Sequence, residues 1–143
     1  MGSCYILPQM STLPAAPYDI REVANYLLDY ADVRKLSLTQ ISLLDILSFC
    51  QYWYLMSHRA PLIKNIKNKY QDNDPEVREL REAFKHHGEN AITSRADRFD
   101  INSGEMNRVV PNLSVEDKVF VEKIFESYMC FGSGALRDLT HFP

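Results

Sequence analysis

The segment from residue 38 to residue 57 constrains the fold most, because it is apolar on nearly every side of a helix. Between Ile41 and Met56, only four polar residues interrupt the apolar surface, at three-residue steps: Ser42, Asp45, Ser48 and Gln51. Such steps form one narrow polar seam, which either faces solvent or hydrogen-bonds inside the bundle. A helix without a broad polar face must be surrounded by other helices. The segment therefore predicts a mainly α fold with this helix at its centre.

Two capping-box pairs predict where the first helices begin. Asp19 with Glu22 begins a helix that ends near Ala31, and Ser37 with Gln40 begins the apolar helix. Apolar residues recur at helical spacing along the first helix, at Ile20, Val23, Ala24, Leu27 and Leu28. The opposite, polar face of that helix carries Arg21, Asn25 and Asp29.

The second half of the chain has weaker patterns. Periodicity is lost from residue 58 to residue 73, which predicts a short strand or an irregular crossover. Asp74 and Pro75 are suited to begin a helix, and Gly88 to end it. The inward-facing positions of that helix are Val77, Leu80, Ala83 and Phe84. Residues 89–113 are polar and predict a long surface loop.

Two further helices complete the predicted domain. Ser114 caps the first of them, Gly132 ends it, and Ser133 begins a short final helix. We therefore expect a compact single-domain bundle of about five helices, from residue 18 to residue 143. Three prolines make residues 1–17 an extended arm outside this domain.

Composition excludes several classes of function. The 143 residues are 45% hydrophobic and 24% charged, with a formal net charge of −3, so we expect neither disorder nor nucleic-acid binding. No apolar run is long enough to span a membrane. Three widely spaced cysteines, Cys4, Cys50 and Cys130, favour neither a disulfide framework nor a zinc site, and they fit a cytoplasmic location. Cys50 and Cys130 are expected to be small buried apolar residues.

Motifs for catalysis, cofactors and metals are weak. No nucleophile elbow, phosphate-binding glycine loop or HExxH motif is present. His86 and His87 end a helix, where the helix dipole favours a protonated imidazole, and adjacent histidines cannot easily share a metal ion. Thr140 and His141 are adjacent but lack a third group to orient the base. We therefore expect no enzyme, no cofactor and no metal, with a small hydrolase-like enzyme using His141 as an alternative.

Three consecutive aromatic residues, Tyr52, Trp53 and Tyr54, favour protein binding. On a helix they spread over roughly 200°, so the domain itself is not expected to bury all three. Exposed tyrosine and tryptophan side chains carry much of the binding energy at protein interfaces. The alternative is that all three pack between helices with their polar tips in water.

The order of several short motifs resembles the Panacea domain family, which is also called the SocA-like antitoxin or phage-associated GepA-like family. These motifs are VANYLL at 23–28, QYWYL at 51–55, LSVEDK at 113–118 and LTH at 139–141. The resemblance extends from about Tyr18 to Pro143. Both lysines of the family's KLxKL pattern are absent from residues 42–46, where this chain has SLLDI.

The resemblance implies an antitoxin-like domain that binds and neutralises a toxin encoded beside it, often on phage or other mobile DNA. It also implies that some relatives act as adaptors that deliver the toxin to an AAA+ protease. We expect partner contacts at the aromatic cluster and in the polar loop, and at His141. The candidate residues are Tyr52, Trp53, Tyr54, Arg95, Arg98, Phe99 and His141. The alternative is a phage-derived accessory protein that self-associates as a homo-oligomer.

Overall fold

The computed structural model describes residues 15–64 and 75–140, and for residues 76 and 131–140 it describes the backbone alone. Within these residues the fold is mainly α, as predicted, with four α helices and one two-stranded antiparallel sheet. In chain order the elements are α1 (Ile20–Val33), α2 (Gln40–His58), α3 (Pro75–Phe84), a 3₁₀ turn (Lys85–His87), β1 (Asp97–Asp100), β2 (Glu105–Arg108) and α4 (Val115–Thr140).

Helix α1 forms as the sequence predicts. Asp19 caps it, because its carboxylate accepts a hydrogen bond from Arg21 N at 2.8 Å. The apolar stripe is buried at all five predicted positions. Asn25, which was expected on the polar face, is fully buried.

Helix α2 begins and packs differently from the prediction. Thr39 caps it instead of Ser37, because the chain stays extended through Leu38, whose carbonyl accepts from Ile92 N at 2.8 Å. The helix packs mainly on α4 and also on α1. Ile41 at its start is largely exposed, so the helix is not enclosed on every side.

Part of the polar seam of α2 has a structural role. The Gln51 carboxamide is buried, and its Oε1 accepts from Leu62 N at 3.1 Å and from Ile63 N at 2.9 Å. Ile63 in turn forms a parallel bridge with Tyr18, where Tyr18 N donates to Leu62 O at 2.7 Å. The start of the predicted crossover therefore contains a short extended segment, and its residues 65–73 lie outside the described part of the chain.

Helices α1 and α4 are joined by hydrogen bonds from tyrosine to glutamate. The Tyr26 hydroxyl donates to Glu122, and the Tyr30 hydroxyl donates to Glu126 at 2.6 Å. Arg34 also bonds to Glu126. Burial, and then the hydrogen bond to Glu122, raises the pKa of Tyr26.

Two predictions for the second half of the chain are wrong. Helix α4 continues through Gly132 instead of ending there, so residues 133–140 do not form a separate helix. An interior glycine costs only about 1 kcal/mol relative to alanine, which one long helix tolerates. The predicted loop 89–113 contains the hairpin of β1 and β2. The five-helix arrangement is therefore not confirmed within the described residues.

Local turn chemistry explains the hairpin. Asp100 Oδ1 accepts from Asn102 N at 2.9 Å, and Gly104 N donates to Asp100 O at 2.7 Å. Gly104 has a φ of 72°, which glycine adopts without the strain that a side chain brings. These bonds reverse the chain within the four residues 101–104.

Candidate functional site

The hairpin is buried at its base and carries four exposed apolar side chains. Ala96 and Val109 are buried where the hairpin joins the domain. The exposed apolar side chains and their exposed fractions are Phe99 (54%), Ile101 (86%), Met106 (60%) and Val110 (74%). Apolar side chains this exposed and this close together are typical of interaction sites.

Strand pairing places two of these side chains on the same side of the sheet. Phe99 is paired directly with Met106, and side chains of directly paired residues lie on one side of a sheet. Ile101 lies in the turn after β1, and Val110 lies two residues beyond the end of β2, so both extend the exposed apolar surface past the paired strands. The charged residues Asp97 and Arg108 also pair directly and share the side of Phe99 and Met106. We call Phe99, Ile101, Met106 and Val110 the outer face of the hairpin.

Asn25 of α1 fixes the base of the hairpin. Its Nδ2 donates to Ala96 O at 3.1 Å and to Val109 O at 2.8 Å, and its Oδ1 accepts from Ala96 N at 2.9 Å. Val109 N also donates to Ala96 O at 3.0 Å. One buried side chain thus bonds to the backbone at both ends of the hairpin, which sets its position relative to α1.

Arginines add ionic contacts between the hairpin and α1. Arg95 Nε is 2.8 Å from Asp29 Oδ1, and its guanidinium also contacts Asp32. The Arg95 side chain is only 9% exposed, so this predicted contact residue lies mostly within the domain. The Arg95 guanidinium thus bridges two carboxylates of α1, and its own burial reduces the solvent screening of these contacts.

Arg98, another predicted contact residue, lies at the edge of the hairpin. Its Nη2 is 3.2 Å from Asp19 Oδ2, and about half of its side chain is exposed. Burial alone would raise the pKa of Asp19, but the hydrogen bonds and charges of Arg21 and Arg98 lower it. Arg98 and Phe99 are therefore both accessible at the hairpin, as the sequence predicted for this region.

The three aromatic residues of α2 separate into two groups. Tyr54 is buried, and its hydroxyl donates to Asp117 Oδ1 at 2.9 Å. Tyr52 and Trp53 are partly buried, with their rings in edge-to-face contact at 5.3 Å. Tyr54 therefore belongs to the core, whereas parts of Tyr52 and Trp53 reach the surface. His141, the remaining candidate, lies outside the described residues.

Tyr54 is part of a buried polar cluster at the start of α4. Asp117 accepts from Tyr54 and, through Oδ2, from the Tyr18 hydroxyl at 2.6 Å. Ser114 caps the helix as predicted, and its Oγ accepts from Asp117 N at 3.2 Å. Burial, and then the hydrogen bond to Asp117, raises the pKa of both Tyr18 and Tyr54. The cluster supplies hydrogen-bond donors to the buried Asp117 carboxylate, and it joins Tyr18, α2 and α4.

Two clefts border the hairpin. One of about 550 Å³ lies between α1, α3 and the hairpin, and its lining includes Arg21, Glu79, Ala83, Arg95 and Met106. The other, of about 720 Å³, is lined by Phe99, Ile101 and Val110 together with polar residues that include Glu22, Asn107 and Asn112. Each cleft would allow a bound polypeptide to extend its contact beyond the outer face.

The two cysteines in the described part of the chain differ in exposure. Cys50 is buried as predicted, and burial raises the pKa of its thiol, which keeps it protonated and unreactive. Cys130 is exposed, contrary to prediction. The residues described here contain no group of three or more metal-binding side chains, and no helix among them has the length and apolar content to cross a membrane.

Sequence patterns missed most residues that build this site. Asn25 was assigned to a polar face, and the exposed apolar residues Ile101, Met106 and Val110 lay in a segment predicted to be a loop. The turn residues Asp100 and Gly104 were the one available signal for a hairpin. Comparisons of the chain with protein-family models, curated protein sequences and solved structures gave no significant match. The resemblance to the Panacea family therefore remains a prediction.

Proposed function

We propose that this chain is a non-enzymatic, antitoxin-like interaction domain that binds and neutralises a partner protein through the outer face of its hairpin. One observation carries the proposal: four exposed apolar side chains lie on one hairpin that buried polar groups hold in place. Aromatic residues and methionine, which are enriched at protein interfaces, supply its centre at Phe99 and Met106.

The fixed position of the hairpin supports a binding role for the outer face. A two-stranded hairpin is marginally stable by itself in water, and here Asn25 and Arg95 hold its base on α1. A surface that is already ordered loses less conformational entropy when it binds. A fixed, exposed apolar face is therefore suited to a specific partner.

The identity of the partner as a toxin rests on the family resemblance. Under this proposal the domain acts in the cytoplasm, with α2 as the central helix of its scaffold, and either blocks the toxin or presents it to an AAA+ protease. A stable complex requires about 1,200–2,000 Å² of total buried surface. The outer face would supply the centre of that area, and the adjoining clefts and Arg98 its rim.

Self-association is a second candidate function, favoured by exposed side chains on α2. Ile41, Tyr52 and Met56 lie along one side of that helix, at spacings of 11 and 4 residues, and Ile41 is 71% exposed. Light scattering of the purified chain separates the two proposals, because an antitoxin-like monomer gives the mass of one chain.

Co-expression with the product of the adjacent reading frame tests the main proposal. We expect the chain to restore growth that this product inhibits, and the double variant Ile101→Ser with Val110→Ser to lose that effect. The control carries the same two chemical changes elsewhere, Ile41→Ser with Val33→Ser, where Val33 is 78% exposed. Equal rescue by both double variants would show that the outer face is not the binding surface.

A further inference from the structure

Strand β2 has one edge without a neighbouring strand in the described part of the fold. The sheet consists of β1 and β2 alone, so each strand pairs on one side only. All four residues of β2 are exposed, and none is a proline. Unpaired N–H and C=O groups along such an edge can bind another extended chain.

The hydrogen-bond pattern identifies which backbone groups face outward. Val109 N donates to Ala96 O at 3.0 Å, so residues 96 and 109 form a hydrogen-bonded pair. Such pairs alternate along an antiparallel ladder, which leaves the backbone groups of Met106 and Arg108 pointing away from β1. The same alternation directs Asp97 O away from β2, and this oxygen does accept from Arg21 Nη1, at 3.4 Å.

The two edges of the hairpin therefore differ. Arg21 covers the edge of β1 at Asp97, whereas the outward backbone groups of Met106 face solvent. The side chain of Arg108 is directed to Asp29, with 3.6 Å between Nη2 and Oδ1. The edge of β2 is thus the more accessible of the two.

We propose that the open edge of β2 binds an extended segment of the partner protein by strand addition. This inference deepens the proposed function and rests on it. Backbone N–H and C=O groups at the spacing of Met106 and Arg108 are complementary to another polypeptide in extended conformation. No small molecule or helix presents that pattern of donors and acceptors.

The side chains flanking the edge define the composition of the added strand. On the side of Phe99, β2 presents Met106 and Arg108, and on the opposite side it presents Glu105 and Asn107. Residues opposite one another in adjacent strands share a face. The partner segment should therefore carry an apolar residue opposite Met106 and, on its other side, a basic residue near Glu105.

Amide hydrogen exchange of the complex with the product of the adjacent reading frame tests this inference. We expect complex formation to protect the amides of Met106 and Arg108 strongly, and to change those of Glu105 and Asn107 less, because these already bond to β1. A complex that forms without protecting Met106 and Arg108 would refute strand addition and leave the proposed function intact. Failure to form any complex would refute the proposed function, and the inference with it.

A pair of variants at one position separates backbone from side-chain contact. Met106→Pro removes the outward N–H, which an edge strand tolerates, whereas Met106→Ala keeps it. We expect the Kd of the complex to be about tenfold higher for Met106→Pro than for Met106→Ala, as for the loss of one good hydrogen bond. Equal weakening by both would show that only the side chain binds. Protection of Met106 in the free chain that rises with concentration would identify a second copy as the occupant and overturn the proposal.

Discussion

Asn25 and Ala96 satisfy each other's hydrogen bonds across the interface between α1 and the hairpin. The Asn25 Nδ2 donates to Ala96 O at 3.1 Å, and Ala96 N donates back to Asn25 Oδ1 at 2.9 Å. Both residues are fully buried, so water cannot replace either bond. This reciprocal pair therefore fixes the position of the exposed hairpin relative to the buried residues of α1.

Asn25→Ala should destabilise the protein by about 2–4 kcal/mol, because it leaves buried backbone groups of Ala96 and Val109 without partners. Urea unfolding followed by circular dichroism measures this change. Asn112→Ala is the matched control, since the side chain of Asn112 is exposed, and its effect should stay within about 0.5 kcal/mol. Equal effects of the two substitutions would mean that the carboxamide of Asn25 does not anchor the hairpin.

Gln51→Ala should lower the free energy of unfolding by about 2–4 kcal/mol for a similar reason. Its carboxamide satisfies Leu62 N and Ile63 N and also donates to Ile63 O at 3.3 Å. Gln40→Ala is the control, because Gln40 makes one exposed contact, to Gly88 O at 3.3 Å. Thermal unfolding should show a clearly lower midpoint for Gln51→Ala alone. A midpoint like that of Gln40→Ala would contradict a structural role for the polar seam.

The tyrosine cluster predicts loss of stability at alkaline pH. Burial, and then the hydrogen bond to Asp117, raises the pKa of Tyr18 and Tyr54 above the value of about 10 expected in the unfolded chain. A raised pKa in the folded state gives stability that is complete below pH of about 10 and is lost as the pH rises through the folded pKa. Unfolding free energies measured from pH 8 to pH 12 should therefore fall above pH of about 10.

Tyr54→Phe tests the origin of that alkaline loss. The variant should be less stable at neutral pH by about 1–3 kcal/mol, because Asp117 loses a donor, and its stability should fall less steeply above pH of about 10. Tyr52→Phe changes a hydroxyl outside this cluster and serves as the control. An unchanged alkaline slope in Tyr54→Phe would exclude this hydroxyl as a source.

Helical periodicity predicted the elements whose stability comes from one apolar stripe. The buried face of α1, the caps at Asp19 and Ser114 and the helix ending at Gly88 follow directly from local residue chemistry. The cap of α2 was misplaced because a tertiary bond from Ile92 N to Leu38 O keeps the preceding chain extended. No local pattern contains that information.

The candidate site was less predictable, because its residues depend on contacts between distant parts of the chain. Asn25 and Ala96 are 71 positions apart, and nothing near Asn25 in sequence marks it as buried. The strands of the hairpin carry exposed charged residues at both ends, so they lack the apolar alternation that predicts a half-buried strand. Of the residues predicted to contact a partner, Phe99 and Arg98 are exposed, whereas Tyr54 and Arg95 make contacts within the domain.

Titration calorimetry with the purified product of the adjacent reading frame tests most directly whether the outer face binds the partner. The measurement compares Kd for two matched variants. Ile101→Ser removes an apolar side chain from the outer face of the hairpin, and Ile41→Ser removes the same side chain from α2. If the outer face binds the partner, Ile101→Ser should raise Kd by about tenfold or more, as for the loss of a buried apolar contact, while Ile41→Ser should leave Kd unchanged. A Kd raised by Ile41→Ser and unaffected by Ile101→Ser would contradict binding by the outer face.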